Sequence, residues 1–315
     1  MDFTVLAEVI AAVVGFWIAA ELTAIGTEQI EPLMGQGMAG GVVLGLLGAL
    51  PETIFVIIAT LSSSYQIALG SALGGNIILF TLGIGIVGVT YALKWKKPIK
   101  MKDDYKVELY FLLASTAVLA GVMLYGSLNV ISGGVLVLVY LAYVGYRYAN
   151  ARSRVGLHAR TEKGRSALLR GGIYLIAGAL IVLALSRTFV GAISDLSRSI
   201  GISPLWLALV VSPLVADLDE NLNANRIAMR SSGGGSTAIV SFIGGKLQNN
   251  TMLLGLIGLL AAQSVGIGPA AAEFIAVIIV NLLAAAVLLR GRLSYKEGVM
   301  LIIAYAAVIA ATFIL

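Results

Sequence analysis

Apolar runs of about twenty residues recur along the chain, separated by short polar or Gly- and Pro-containing stretches. They fall near residues 4–30, 38–63, 66–93, 107–126, 128–148, 170–198, 204–229, 236–263, 269–289 and 297–315. A hydrocarbon core about 30 Å thick is crossed by about 20 helical residues, and inside it only helices and closed barrels satisfy the backbone. The pattern predicts an all-α membrane protein with ten transmembrane helices. Composition agrees: the 315 residues are 59% hydrophobic and 12% charged, against about 25% charged in a soluble domain. Cysteine is absent and the one histidine, His158, lies in a basic stretch. Disulfide frameworks, thiolate metal sites, cysteine nucleophiles and histidine-based hydrolysis are thereby excluded as the basis of function.

Charge gives the runs a direction. Eighteen of the 21 Lys and Arg residues follow odd-numbered spans: Lys94 to Lys106, Arg147 to Arg170, Arg226 with Arg230, and Arg290 to Lys296. The positive-inside rule makes those loops cytoplasmic, in the cell membrane, and puts both termini outside. The first residues, MDFTVLAEVI, have no basic region ahead of the apolar run, so they are expected to form span 1 and not a cleaved signal. The net charge of +5 suits loops facing anionic lipid; no nucleic-acid partner is expected.

The basic stretch at 149–169 is expected to be a cytoplasmic linker between two five-span halves, 1–148 and 170–315. Five is odd, so related halves would enter the membrane from opposite faces, as inverted repeats about an axis in the membrane plane. VVLGLLGALPE (Val42–Glu52) aligns without gaps on VVSPLVADLDE (Val210–Glu220), setting Glu52 opposite Glu220. GSALGGN (Gly70–Asn76) pairs with GGKLQNN (Gly244–Asn250). Matched interruptions of this kind are the best sequence pointer to a transport site at mid-depth.

The costly residues lie in those segments. Glu52 is expected in the middle of span 2, where Pro51 removes a backbone donor and frees the carbonyl of Leu47. A carboxylate beside a free carbonyl suits a hard cation; the alternative is a neutral acid, or one paired with a cation from another helix. Asp217, Asp219 and Glu220 facing lipid would cost about 8 to 10 kcal/mol on the insertion scale, so they must face protein, water or cations; the alternative is a helix that ends at Ala216 with a solvated loop beyond. Asp217, Glu220, Asn221 and Ala224 share one helix face, expected to be the ion site. Asp219, Asn223, Arg226 and Arg230 share another, where Asp219 is expected to pair with Arg226. Gly70, Gly74, Gly75, Gly244 and Gly245 read first as helix packing. Asn76, Asn249 and Asn250 add neutral oxygens. Lys246 is expected to pair with Glu52, Asp217 or Glu220, or to reach an interface; held inside, it would stand in for one monovalent ion. Glu21, Glu28, Glu31 and Asp195 suit gating or interface roles better than ligation.

GALPET (Gly48–Thr53) followed by GSALGGN resembles the first alpha repeat of the calcium/cation antiporter superfamily, which includes sodium/calcium and proton/calcium exchangers. AELTAIGTEQIEPLM (Ala20–Met34) and FVGAISDLSRSIGIS (Phe189–Ser203) resemble its long sliding helices. The resemblance implies alpha motifs at 42–79 and 210–253, spans 2, 3, 7 and 8 as an ion-binding core, and spans 1 and 6 sliding across it. It implies that Glu52 and Glu220 are paired metal-ligating glutamates and that Gly75 and Asn249 approach the ion. Gly48 and Ala49 depart from the usual Thr-Ser, Asp217 and Asp219 from Ser and Pro, and Leu79 and Leu253 from Asn or Asp. Lys246 and Gln248 interrupt the second motif.

The sequence therefore reads as a secondary antiporter exporting Ca²⁺, or a related divalent cation, in exchange for Na⁺ or H⁺ by alternating access. Its expected ligands are Glu52, Glu220, Asp217, Asn76, Asn249, Asn250 and Gly75, with Lys246 as internal counter-charge. Its partners are the lipid bilayer and the transported ions. No cofactor or bond-breaking chemistry is expected, and a monomer is compatible with this reading. A passive cation channel and an inverted-repeat transporter of another small solute are the alternatives.

Overall fold

The computed structural model describes residues 3–34, 47–101, 105–151 and 162–314. They form eleven helices in chain order. α1 is Phe3–Met34, α2 Leu50–Leu61, α3 Tyr65–Trp95, α4 Tyr105–Tyr125, α5 Val130–Ala151 and α6 Glu162–Ile200. α7 is Pro204–Ala216, α8 Leu218–Arg230, α9 234–260, α10 Ala271–Leu289 and α11 Tyr295–Ile314. Val42 to Leu46 of the first expected motif lie outside the described residues.

Seven of the described helices are long and apolar enough to cross a membrane: α1, α3, α4, α5, α6, α10 and α11. Of the other expected spans, 236–263 corresponds to α9. Of 38–63, residues 38–46 lie outside the described residues, and α2 covers Leu50–Leu61. The expected span 204–229 is two helices, because α7 stops at Ala216 and α8 restarts at Leu218. The break follows Pro213, whose missing N–H deprives the Leu209 carbonyl of its helical partner. α6 begins eight residues before the expected span 6, so part of the expected linker at 149–169 is helix.

α3 is the most enclosed of the long helices, with 83% of its apolar window buried against 17% for α6 and α11. It can be so central because α7 packs directly on its glycines. A Cβ at Gly70 would overlap the Leu205 carbonyl, and one at Gly74 the Leu209 carbonyl. Spaced four apart, these two glycines let the backbones meet. α1 lies along α6 in the same manner, with Gly26 and Gly171 facing one another's backbone. Phe16 of α1, Phe55 of α2 and Phe189 of α6 form an aromatic cluster with ring centroids 5.0 to 5.6 Å apart. The outer faces stay apolar, as lipid requires: Leu124, Leu138, Leu169, Ile176 and Ile303 are all exposed. Inside, Glu108 of α4 and Arg147 of α5 form a buried ion pair.

Two small strand pairs join the linkers, which hydropathy alone does not foretell. β1 (Ile99–Lys100) pairs antiparallel with β4 (Arg292–Leu293), tying the α3–α4 linker to the α10–α11 linker. β2 (Ser127–Leu128) pairs with β3 (Val265–Gly266), tying the α4–α5 linker to the α9–α10 linker. Gly126 and Gly291, each immediately before a strand, take φ of +85° and +65°, a region open to glycine at little cost. Their carbonyls accept from Ile267 and Met101 and so extend each pair.

Candidate ion-binding site

Pro51 lies in the first turn of α2, where its missing donor costs little. Glu52 therefore stands at a helix start and not at mid-helix, the position at which a helix favours negative charge. Asp217 occupies the residue between α7 and α8, and Glu220 falls in the first turn of α8. The two glutamates are each the third residue of their helix, so the matched position read from the sequence corresponds to a matched helix start.

α3 and α9 each contain one π-helical turn, at Leu79–Gly83 and Asn249–Leu253. Such turns gather at functional sites. In both, the third residue is a threonine, Thr81 or Thr251, whose hydroxyl donates to the carbonyl four residues earlier. This correspondence sets Gly74 against Gly244, Gly75 against Gly245 and Asn76 against Lys246. The sequence pairing of Gly70–Asn76 with Gly244–Asn250 is thus corrected by four residues. Glycine and asparagine letters alone could not fix the register; the π turns do. Asn249 then stands opposite Leu79.

Lys246 gathers the acids. Its Nζ is 2.8 Å from Asp217 Oδ1, 3.7 Å from Glu52 Oε2 and 3.7 Å from Glu220 Oε2. Lys246, Asp217 and Glu52 are 1%, 2% and 4% exposed, whereas the Glu220 side chain is 32% exposed. All three acids named as partners from the sequence are partners at once. Among the described residues no three acids stand close enough together to hold a metal ion by themselves, because the ammonium lies between them.

The remaining oxygens of the acids turn toward glycines. A Cβ on Gly75 would be 2.9 Å from Asp217 Oδ2 and 3.1 Å from Glu52 Oε1, and would overlap Asn249 Nδ2. A Cβ on Gly245 would be 2.8 Å from Glu220 Oε1. Each carboxylate thus turns one oxygen toward Lys246 and packs the other against a glycine, an approach that a Cβ would prevent. Asn249 Nδ2 donates to Glu52 Oε1 at 2.9 Å. Asp217 Oδ2 and Asn249 Oδ1 are buried and make no hydrogen bond, a costly state for an oxygen in a low-dielectric interior.

Asn76 and Asn250 meet one another, Asn76 Nδ2 donating to Asn250 Oδ1 at 2.8 Å, with Asn76 Oδ1 left without a partner. Gly70 and Gly74 serve packing, as expected; Gly75 and Gly245 face carboxylates. Gly244 instead approaches the Tyr143 hydroxyl. The Asp219 side chain, and with it the expected pairing to Arg226, lies outside the described residues; Arg226 is exposed. Glu21 and Glu28 are exposed and Asp195 pairs with Arg198 at 3.4 Å; the Glu31 side chain lies outside the described residues. Three residues with no expected role, Gln248, Thr53 and Tyr140, complete the surroundings. Gln248 Nε2 donates to Thr53 Oγ1 at 3.1 Å and its Oε1 accepts from Tyr140 at 3.2 Å, joining α2, α9 and α5 beside Glu52. Gln248 was legible only as a polar residue in an apolar helix.

A bundle of apolar helices, with broken helices presenting buried acids and amides to one another, defines a multi-pass membrane transporter. The family model for sodium/calcium exchanger protein matches residues 4–149 and 171–314. The chain belongs to that family. It is 26% identical over 240 residues to inner membrane protein YrbG of Escherichia coli (strain K12), covering 73% of this chain and 70% of that one. The solved structure of the H⁺/Ca²⁺ exchanger CAX is similar in fold, with a TM-score of 0.81 at 18% identity over 98% of this chain and 86% of that one. A structure of the sodium-calcium exchanger NCX_Mj is also similar, with a TM-score of 0.69 at 17% identity over 98% and 99%.

Proposed function

We propose that the protein is an antiporter that exports a divalent cation, Ca²⁺ or a close relative, in exchange for Na⁺ or H⁺. The observation that carries this reading is the division of the acidic oxygens, one of each carboxylate toward Lys246 and the other packed against Gly75 or Gly245. Glu52 Oε1 and Asp217 Oδ2 converge beside Gly75, next to the unpartnered Asn249 Oδ1. Carboxylate and amide oxygens are the ligands a hard cation takes. Asn249 presents its NH₂ to Glu52; turning the amide would present its oxygen to the cargo. Glu220 completes the site from the side of Gly245, and Asn76 with Asn250 supplies neutral oxygens nearby.

Ten spans in two inverted repeats are the architecture we infer, with α7 and α8 counted as one broken span. Three correspondences support it: the glutamates at the third residue of α2 and α8, the π turns of α3 and α9, and the exchange of linkers in the two strand pairs. Coupling follows from charge. Buried carboxylates that must be neutralised before the site crosses the membrane accept a divalent ion or monovalent ions in turn, and never cross unfilled. The paired helices α1 and α6 are the element we assign to movement across this core.

The test is Ca²⁺ uptake into proteoliposomes under an imposed Na⁺ or H⁺ gradient, comparing wild type with Glu52→Gln and Glu220→Gln. Uptake that requires a gradient, and falls at least tenfold in both variants, is expected. Normal flux in either variant removes that residue from the site, and flux without any counter-ion would show a channel.

A further inference from the structure

We propose that Lys246 is a permanent, tethered cation of the ion site, and that it fixes exchange at two monovalent ions per divalent cation, so that a complete cycle moves no net charge. The inference rests on the function proposed above and adds the stoichiometry to it. Its first support is position. The ammonium stands 2.8 Å from Asp217 and 3.7 Å from both Glu52 and Glu220, on a residue 1% exposed. Among the described residues no other cation stands within ion-pair distance of Asp217 or Glu52.

The second support is where the ammonium enters. The π turns place Lys246 in α9 at the position that Asn76 holds in α3. One half contributes a neutral amide there; the other contributes a charge on a four-carbon stem. That charge cannot leave with the cargo.

The third support is the division of oxygens, which lets the tether and the cargo coexist. Lys246 takes Asp217 Oδ1 and faces Glu52 Oε2 and Glu220 Oε2. Asp217 Oδ2 and Glu52 Oε1 point away from it to Gly75, and Glu220 Oε1 points to Gly245. A cation that displaces the Asn249 amide nitrogen beside Gly75 would therefore bind edges of Glu52 and Asp217 that Lys246 does not hold.

The count then follows. Three carboxylates and one ammonium leave two negative charges to be neutralised. One divalent ion does this, and so do two monovalent ions. An uncompensated charge in a buried site is strongly unfavourable, so the site crosses in two neutral forms only. Without the ammonium, three negative charges remain: the monovalent form takes up a third ion, and the divalent form crosses with a net charge of −1, more slowly than the neutral wild-type form.

The experiment measures the steady-state Ca²⁺ ratio across proteoliposome membranes at a fixed Na⁺ gradient, and separately at a fixed pH gradient, with the membrane potential set by K⁺ and valinomycin. In wild type the ratio is expected to follow the square of the monovalent gradient and to stay constant as the potential is varied. In Lys246→Met the ratio is expected to respond to potential by about tenfold for every ~60 mV, the value for one elementary charge moved per cycle. A wild-type ratio that shifts with potential overturns the inference while leaving the antiporter reading intact. Wild-type protein with no gradient-driven Ca²⁺ movement overturns the antiporter reading and the inference with it. Should Lys246→Met fail to insert, the wild-type measurement alone decides.

Discussion

Gly74 and Gly75 are adjacent in α3, yet their missing side chains serve different ends. At Gly74 a Cβ would overlap the Leu209 carbonyl of α7, the one left without a helical donor by Pro213. At Gly75 it would enter the space where Asp217, Glu52 and Asn249 converge. Gly74→Ala is therefore expected to cost stability, about 1–3 kcal/mol for overpacking against an unyielding backbone, seen as a lower unfolding temperature in detergent with unaltered Ca²⁺ affinity in the surviving protein. Gly75→Ala is expected to weaken Ca²⁺ binding at least tenfold by calorimetric titration, with little change in unfolding temperature because Asn249 can turn aside. Equal effects in the two variants would contradict this assignment. The sequence shows both glycines and suggests packing for both. What separates them is which residues of the second half stand opposite, and these lie more than a hundred positions away. The same distance hides the role of Lys246: a lone cation in an apolar helix is legible as needing an acid, but meeting three at once depends on the crossing of α2, α8 and α9.

At the scale of elements, the aromatic cluster of Phe16, Phe55 and Phe189 sits where the α1–α6 pair meets α2, three residues beyond Glu52. Rings at 5.0 to 5.6 Å offer broad, nondirectional contact, suited to one element shifting over another. If α1 and α6 move together across the ion-binding core, a tie between them is harmless and a tie to α2 is not. The chain has no cysteine, so pairs can be introduced without background. A short thiol cross-linker joining Phe16→Cys to Phe189→Cys is expected to leave most transport intact. The same reagent joining Phe16→Cys to Phe55→Cys is expected to abolish it, with recovery on cleaving the linker. Arrest by both ties would show that α1 and α6 do not travel as a unit. The long helices were legible as apolar runs, since hydropathy and length dominate there. The break before Leu50 was not, because an averaged run looks continuous across it, and the helix end at Ala216 was legible only as the alternative to a continuous span. Pro51 and Pro213 were the local signals, and only Pro51 entered the sequence reading, where it suggested a strained turn in place of a helix start.

Across the whole molecule, the two strand pairs separate the linkers by charge. The β1–β4 end carries Lys94, Lys96, Lys97, Lys100, Arg290, Arg292 and Lys296, whereas the linkers joined by β2 and β3 contain no Lys or Arg. α4 and α10 connect one pair to the other, so the basic and uncharged linkers stand at opposite ends of the same helices. By the positive-inside rule the β1–β4 end is expected inside the cell. This asymmetry was legible from residue spacing alone; the pairing of distant linkers that reinforces it was not, since two-residue strands leave no periodic trace. Lys97 and Gln263 are exposed at the two ends and serve as reporters. In intact cells, a membrane-impermeant maleimide is expected to label Gln263→Cys and to spare Lys97→Cys until the membrane is opened. The reverse pattern would invert the whole chain in the bilayer. Labelling of both positions from outside would break the ten-span arrangement, because an odd number of crossings separates these two linkers.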